Sequence, residues 1–428
     1  MFTVNPLQGV EDMKKLLSVV VGFALIACTA GLARSETIRI GGIGPLSAPG
    51  AVVGGIAMQW TMNLAVKDIN EKGGVLGKQL ELIFADTEGL PERGGSVAER
   101  LINENKVAGI AGEYHSAVAL AVAEVAHKYG TPVLFSETWA DKITETGYPE
   151  VFRIAPASSM VSRSTVDWMA DAGVKRVILI AETTDFGTSM AKAQAQLLQE
   201  KGIQLVDTIY VEMGMVDFSP ILTRIKAISP PPDAVSCQAV TGETSYNLAR
   251  QMAEMGIAPS KTTLGITNQV AVSPQFWQSV SNGNYFIFTN NGLPPALWND
   301  TYKRIAAEYE KAFKSVIPSY AVEAYDSIRV LADAIKRAGS TDHKAVIAAL
   351  EDTNIEFAQG HYSFKYGSKN PLPADGKVPK YMWHQWADPP LLVLQYFVPK
   401  QPGDQAAVLW PAKYRTMGKA YIPYGFKQ

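Results

Sequence analysis

The chain has 428 residues, 47% of them hydrophobic and 19% charged, enough for two or three packed domains and too apolar for a wholly disordered chain. A formal net charge of −2 gives no general attraction for nucleic acid or anionic lipid, so no nucleic-acid partner is expected. Two cysteines and five scattered histidines cannot build a disulfide framework or a four-thiolate zinc site, so neither a metal nor a cofactor is expected.

The first segment reads as an address. Met13-Lys14-Lys15 precedes a 12-residue apolar run, Leu16–Ala27, and small residues at Ala33 and Ser35 suit cleavage before Glu36. The run is too short to cross a hydrocarbon core of ~30 Å. Residues 1–12 read as an upstream extension, and the mature protein is expected in the periplasm. Leu25-Ile26-Ala27-Cys28 resembles a lipobox, so a lipid tether at Cys28 stands beside free secretion. Cys237 then has no partner and reads as a buried small hydrophobe.

From Thr37 onward short β-type runs alternate with helical ones. The strands Thr37–Ile40, Gln79–Ala85, Val107–Ala111 and Pro132–Phe135 are separated by helices at Ala57–Lys72, Ser96–Asn105 and Ala117–Tyr129. After a break near Arg153–Ser159 the scheme recurs, with strands Arg176–Ala181, Gln204–Val211 and Ala234–Cys237 and helices Ser189–Lys201, Pro220–Ile228 and Thr244–Gly256. Such alternation predicts an α/β fold with parallel sheets covered on both faces, in two lobes. Trp298–Phe313 and Val322–Ala338 follow as long helices, and Tyr381–Trp386 and Leu391–Val398 as strands. The tail from Pro399 lacks periodicity but carries Trp410, Tyr414, Tyr421 and Tyr424, so it is expected to pack on a lobe.

Catalytic motifs are weak. Gly42-Ile43-Gly44 begins a dinucleotide fingerprint, but Ser47 stands at the third glycine and Pro45 and Pro49 oppose the helix start that must receive a pyrophosphate. Ser189-Met190-Ala191-Lys192 matches S-x-x-K without its partner motifs. With no nucleophile, base or metal cluster in evidence, the chain is not expected to be an enzyme. The strand-to-helix junctions are richer: Gly44–Gly54, Gly112–Ser116, Ser136–Trp139, Thr183–Gly187 and Val240–Thr244. Ligands of open α/β sheets sit at such junctions. Ser116 opens a helix, where its hydroxyl either caps the helix or holds a carboxylate.

These junctions carry a resemblance. GPLSxPG at 44–50, the stretch Asp68-Ile-Asn-Glu-Lys-Gly-Gly-Val-Leu-Gly77, Tyr148-Pro-Glu-Val-Phe-Arg-Ile, Asp185-Phe186-Gly187, Asp217-Phe218-Ser219 and Ala324-Tyr325-Asp326 occur in order. From about Ile38 to Phe364 the chain resembles the leucine/isoleucine/valine-binding proteins, the type I periplasmic substrate-binding proteins of ABC importers. The resemblance implies two doubly wound parallel-sheet lobes joined by a hinge of three crossovers. The expected division is 36–156 in lobe 1, 157–286 in lobe 2, 287–360 in lobe 1, and 361–428 returning to lobe 2 with the tail.

The resemblance also implies a site. The carboxylate-binding serine falls on Ser116, and the next strand-end loop on Glu137 and Trp139 with Thr138 between them. An aromatic of the second lobe falls on Phe186, a second on Thr241, the acid facing the ligand's amine on Thr267, and a pocket aromatic of the first loop on Val53. Tyr114, Trp139 and Phe186 offer rings for stacking, although core packing would also account for Trp139 and Phe186. Thr267 offers a hydroxyl where a buried ammonium needs an acid, so either Glu137 or Glu243 substitutes or the ligand has no amine. The implied function is capture of a small carboxylate, a branched-chain amino acid or an aromatic or oxo acid, by hinge closure. Delivery to the membrane permease of an ABC importer follows, with the binding protein a monomer. A sensor module of the same fold, signalling through a partner, is the alternative.

Overall fold

The computed structural model describes residues 37–238 and 242–416. The leader segment with Cys28, Thr241 and the last residues, 417–428, lie outside the described residues. Strands β1 (Ile38–Gly44), β2 (Leu80–Asp86), β3 (Ile110–Gly112), β4 (Val133–Phe135) and β5 (Val151–Arg153) form a parallel sheet in the order β2-β1-β3-β4-β5. The last three strands read Ile-Ala-Gly, Val-Leu-Phe and Val-Phe-Arg and are wholly buried, as strands covered on both faces must be. Val97 and Leu101, with Val118 and Val122 of helix Ser116–Tyr129, cover one face. Met58, Met62 and Ala65 of helix Val52–Glu71, with Ile328 and Leu331 of helix Ser319–Ala338, cover the other. Each such buried side chain contributes about 1.5–3 kcal/mol.

The second sheet repeats the winding. Strands β6 (Arg176–Glu182), β7 (Gln204–Val211), β8 (Ala234–Gln238), β9 (Leu264–Thr267) and β10 (Ile287–Asn291) run parallel in the order β7-β6-β8-β9-β10. A small hairpin, β11 (Asn354–Glu356) and β12 (His361–Ser363), belongs to the first lobe's side of the chain. Strands β13 (Leu391–Gln395) and β14 (Ala407–Trp410) then extend the second sheet in antiparallel fashion beyond β10. The beginning of the tail therefore packs, with Val408 and Ala406 in the second lobe's core. In both sheets the order reverses direction between the first and third strands, and at that point the loops of an open α/β sheet splay apart to make room for a ligand.

Sheet pairing moves two expected boundaries. β10, placed at the head of the second lobe-1 stretch by the sequence pattern, hydrogen-bonds to β9 and β13 of lobe 2. The segment after residue 361 stays with lobe 1, because Tyr362, Phe364 and Trp386 pack in that lobe's core. The chain thus crosses after β5, after β10 and after Trp386. Tyr381–Trp386 is not a strand: a short 3₁₀ turn, Lys380–Met382, leads to His384 at φ 45°, which breaks an extended run. The short strands β5 and β9 have no counterpart in the sequence-level pattern, because three or four residues carry too little periodicity, and the 14-residue helix Ser158–Asp171 has none either.

Candidate functional site

The site is built on the ends of β3 and β4. β3 ends at Gly112, whose φ is 112° and whose missing Cβ would lie 2.3 Å from the Ile43 carbonyl oxygen. Glu113 follows in the left-handed region at φ 69°, held there because its own Oε1 accepts the N–H groups of Tyr114 and His115, each at 2.9 Å. Burial pushes the Glu113 carboxyl up to about 7. His115 accepts the Ala51 N–H on Nε2 at 3.0 Å, tying the loop after β1 to the loop after β3, and burial pushes its imidazole down to about 4. Gly54 lies beneath the Tyr114 ring, where a Cβ would come within 2.8 Å.

This turn delivers Ser116 as the first residue of helix Ser116–Tyr129, at an end where the first backbone N–H groups have no intrahelical acceptor. The Ser116 hydroxyl accepts the N–H groups of Trp139 and Ala140, both at 3.1 Å. With its oxygen occupied as acceptor, its proton is left to donate. The loop after β4 is held from behind by Arg153, fully buried in β5. Its Nη1 donates to the carbonyls of Thr138 (3.3 Å) and Ala140 (2.7 Å), its Nη2 to the Thr144 hydroxyl (3.1 Å) and its Nε to Gln385 (2.5 Å).

Glu137 is buried on the same loop. Its Oε2 accepts the Trp139 indole N–H at 3.3 Å, and its Oε1 accepts the Gln269 side-chain amide from across the cleft. Glu323, from helix Ser319–Ala338, accepts the Asn291 amide at 2.8 Å and lies close enough to Glu137 for the two acids to bear on one another. Burial raises the proton affinity of both carboxyls well above the usual carboxylate range, and the charge of Glu137 raises that of Glu323 further.

From lobe 2, Phe186 lies in the first turn of helix Asp185–Glu200, edge-on to Trp139 with ring centroids 5.8 Å apart. Trp139 and Phe186 pack with Ala155, Val161, Met190 and Leu391 in a small apolar cluster between the lobes. Both rings also line a cavity with Tyr114, Ser116, Glu137 and Gln269. That cavity is about 30 Å³, small beside the cleft it adjoins. A wider cleft of about 550 Å³ shares Tyr114, Gln269 and Val270 with it.

Five of the sequence-predicted residues thus line one cavity: Tyr114, Ser116, Glu137, Trp139 and Phe186. Val53, 48% exposed, and Glu243 line the wider cleft instead. The Thr138 hydroxyl is buried without a hydrogen-bond partner among the described residues, and its carbonyl serves Arg153. Thr267 does not line the cavity; its hydroxyl pairs with that of Ser245 at 2.8 Å. Thr241 lies outside the described residues.

Sequence reasoning missed Asn268, Gln269 and Val270, since β9 before them is too short to read, although the junction after a fourth strand of lobe 2 was there to find. It also missed Glu323, whose signal is an acid amid Tyr320, Ala321, Val322 and Ala324 on a helix buried nearly all round.

A family model described as periplasmic binding protein matches residues 37–376. Leu/Ile/Val-binding protein homolog 7 of Brucella abortus is 27% identical over 397 residues, covering 87% of this chain and 95% of its own. The branched-chain amino acid transporter substrate binding protein LivJ of Streptococcus pneumoniae, solved with isoleucine, superposes with a TM-score of 0.73 at 21% identity, covering 88% of this chain and all of its own (100%). A solute binding protein of an ABC transporter from R. palustris, solved with benzoate, gives a TM-score of 0.73 at 20% identity, covering 90% and 99%.

Proposed function

Since the chain belongs to the periplasmic binding protein family, we propose that it captures a small carboxylate between its two lobes, outside the cytoplasm, and passes it to the permease of an ABC importer. One observation carries this reading. The Ser116 hydroxyl, fixed by two backbone N–H groups at a helix N-terminus, lines a cavity that Phe186 and Gln269 close from the opposite lobe. A ligand carboxylate there meets a hydroxyl donor, helix N–H groups and the positive end of the helix dipole. Trp139, Phe186 and Tyr114 suit an apolar or aromatic body, and the wider cleft gives that body room to extend. The relatives' own ligands, isoleucine in one and benzoate in another, span that chemistry.

Closure supplies selectivity. Both lobes contribute to the cavity, so a solute that leaves the buried hydroxyl or carboxyl unsatisfied loses the desolvation energy of those groups and favours the open form. The closed, filled form is the one presented to the permease, and release follows when the lobes are pulled apart.

Thermal denaturation with panels of amino acids and aromatic acids tests this. A true ligand at 100 times its Kd adds about 2.7 kcal/mol to stability. Absence of any shift from both classes would refute the assignment.

A further inference from the structure

We propose that Asp141 and Ser189 form a clasp between the lobes that sets how firmly the closed form holds a solute, without touching the solute itself. The proposal rests on capture by closure and adds residues outside the cavity that govern it. Asp141 belongs to lobe 1, in the loop after β4. It stands just before the short helix Lys142–Glu145 but makes no side-chain cap there. Its carboxylate turns instead to lobe 2, where Oδ1 accepts the Ser159 N–H at 3.1 Å and Oδ2 the Ser159 hydroxyl at 2.5 Å. Its own N–H donates to the Ser189 hydroxyl at 3.2 Å, on helix Asp185–Glu200.

The local sequence explains why lobe 2 takes these bonds. Helix Ser158–Asp171 is preceded by Ala157, whose side chain offers no acceptor to the first N–H groups of the helix. Lobe 1 supplies what is missing: the Trp139 carbonyl accepts the Ser158 N–H at 2.6 Å, and the Asp141 carboxylate accepts that of Ser159. A negative charge there also suits the positive end of the helix dipole. Ser159 comes directly after the crossover that follows β5, so it anchors Asp141 beside the hinge. Ser189 lies about a turn beyond Phe186 on the other helix. Phe186 meets Trp139 and Ser189 meets Asp141, so the first two turns of that helix rest on the loop 139–141.

Position separates the clasp from the ligand. Asp141, Ser159 and Ser189 line a groove of about 470 Å³ with Arg163, Lys192 and Tyr381, and none of these lines the ligand cavity. Yet the loop that carries Asp141 also carries Trp139 and Ala140, whose N–H groups hold the Ser116 hydroxyl. Clasp and carboxylate site are thus built on three consecutive residues. A bond made between the lobes favours the closed form by the same amount whatever solute lies within. It therefore scales every affinity alike and leaves their ratios unchanged.

Stopped-flow tryptophan fluorescence on the whole chain tests the clasp, with L-leucine, L-phenylalanine and benzoate as probes. Ser189→Ala removes the acceptor at a half-buried helical position that alanine suits, and Asp141→Asn keeps the shape while removing the charge. Each should speed dissociation about two- to tenfold, by the same factor for every probe bound, with association within about twofold of the wild type. Ser189→Ala carries the test whether or not Asp141→Asn folds. Unchanged dissociation, or factors that differ from one probe to another, overturns the clasp and leaves carboxylate capture intact. Binding of none of the three by the wild-type chain overturns capture and the clasp's part in it together.

Discussion

Trp139 donates its backbone N–H to the Ser116 hydroxyl at 3.1 Å, joining the loop after β4 to the helix that begins after β3. The two loops follow neighbouring strands of lobe 1, so this bond ties together two walls of the cavity. The same tryptophan meets Phe186 of lobe 2 edge-on, so one residue touches both lobes.

Ser116→Ala removes the ligand's donor and strands two buried N–H groups, those of Trp139 and Ala140. A hydrogen bond to a charged group is worth about 1.5–3 kcal/mol, so affinity should fall roughly 10- to 100-fold. Calorimetry reads the affinity and urea unfolding the stability, which should drop by ~1–3 kcal/mol. Unchanged affinity would remove Ser116 from the site.

Phe186→Ala acts from the other lobe. The ring is only partly buried and meets Trp139 edge-on, so folding should change by less than about 1 kcal/mol while affinity falls about tenfold. The loss should appear in the dissociation rate, measured by stopped-flow tryptophan fluorescence, because Phe186 holds the closed form.

Thr267→Val separates structural from binding roles. Ser245 loses its partner, which costs about 1 kcal/mol of stability, while affinity should stay within about twofold because Thr267 does not line the cavity. A tenfold loss of affinity would mean that closure with ligand turns this hydroxyl into the cleft.

His115 makes stability depend on pH. Its imidazole is neutral in the fold down to about pH 4, whereas in the unfolded chain it takes a proton near 6.5. Between those values the unfolded state binds more protons, so the His115 contribution is lost as pH falls from 6.5 to 4, by at most about 3 kcal/mol. Glu113, pushed up to about 7, works in the opposite sense, its contribution growing as pH falls from 7 towards 4.5. Comparing His115→Gln with the wild type in urea unfolding at pH 7 and pH 5 isolates the histidine: the gap between them should shrink at the lower pH. A gap that stays constant would show that folding leaves the proton affinity of His115 unchanged.

Alternation of apolar strands and helices was legible along the chain because burial on both faces demands it residue by residue, and the junctions that bind were legible because they must fall at strand ends. The junctions that hold Ser116, Trp139 and Phe186 could be listed in advance for that reason, and the family resemblance then singled out Trp139 and Phe186 within them. Their partners could not. Gln269 reaches Glu137 over 132 positions and Asn291 reaches Glu323 over 32, through pairings set by how the lobes are wound and where the crossovers return. Which sheet takes β10, and which lobe holds Trp386, follows from hydrogen bonding and packing between distant segments. Local periodicity carries no record of those contacts, so the partners that Gln269 and Asn291 give to the buried acids emerge only when the chain has folded around them.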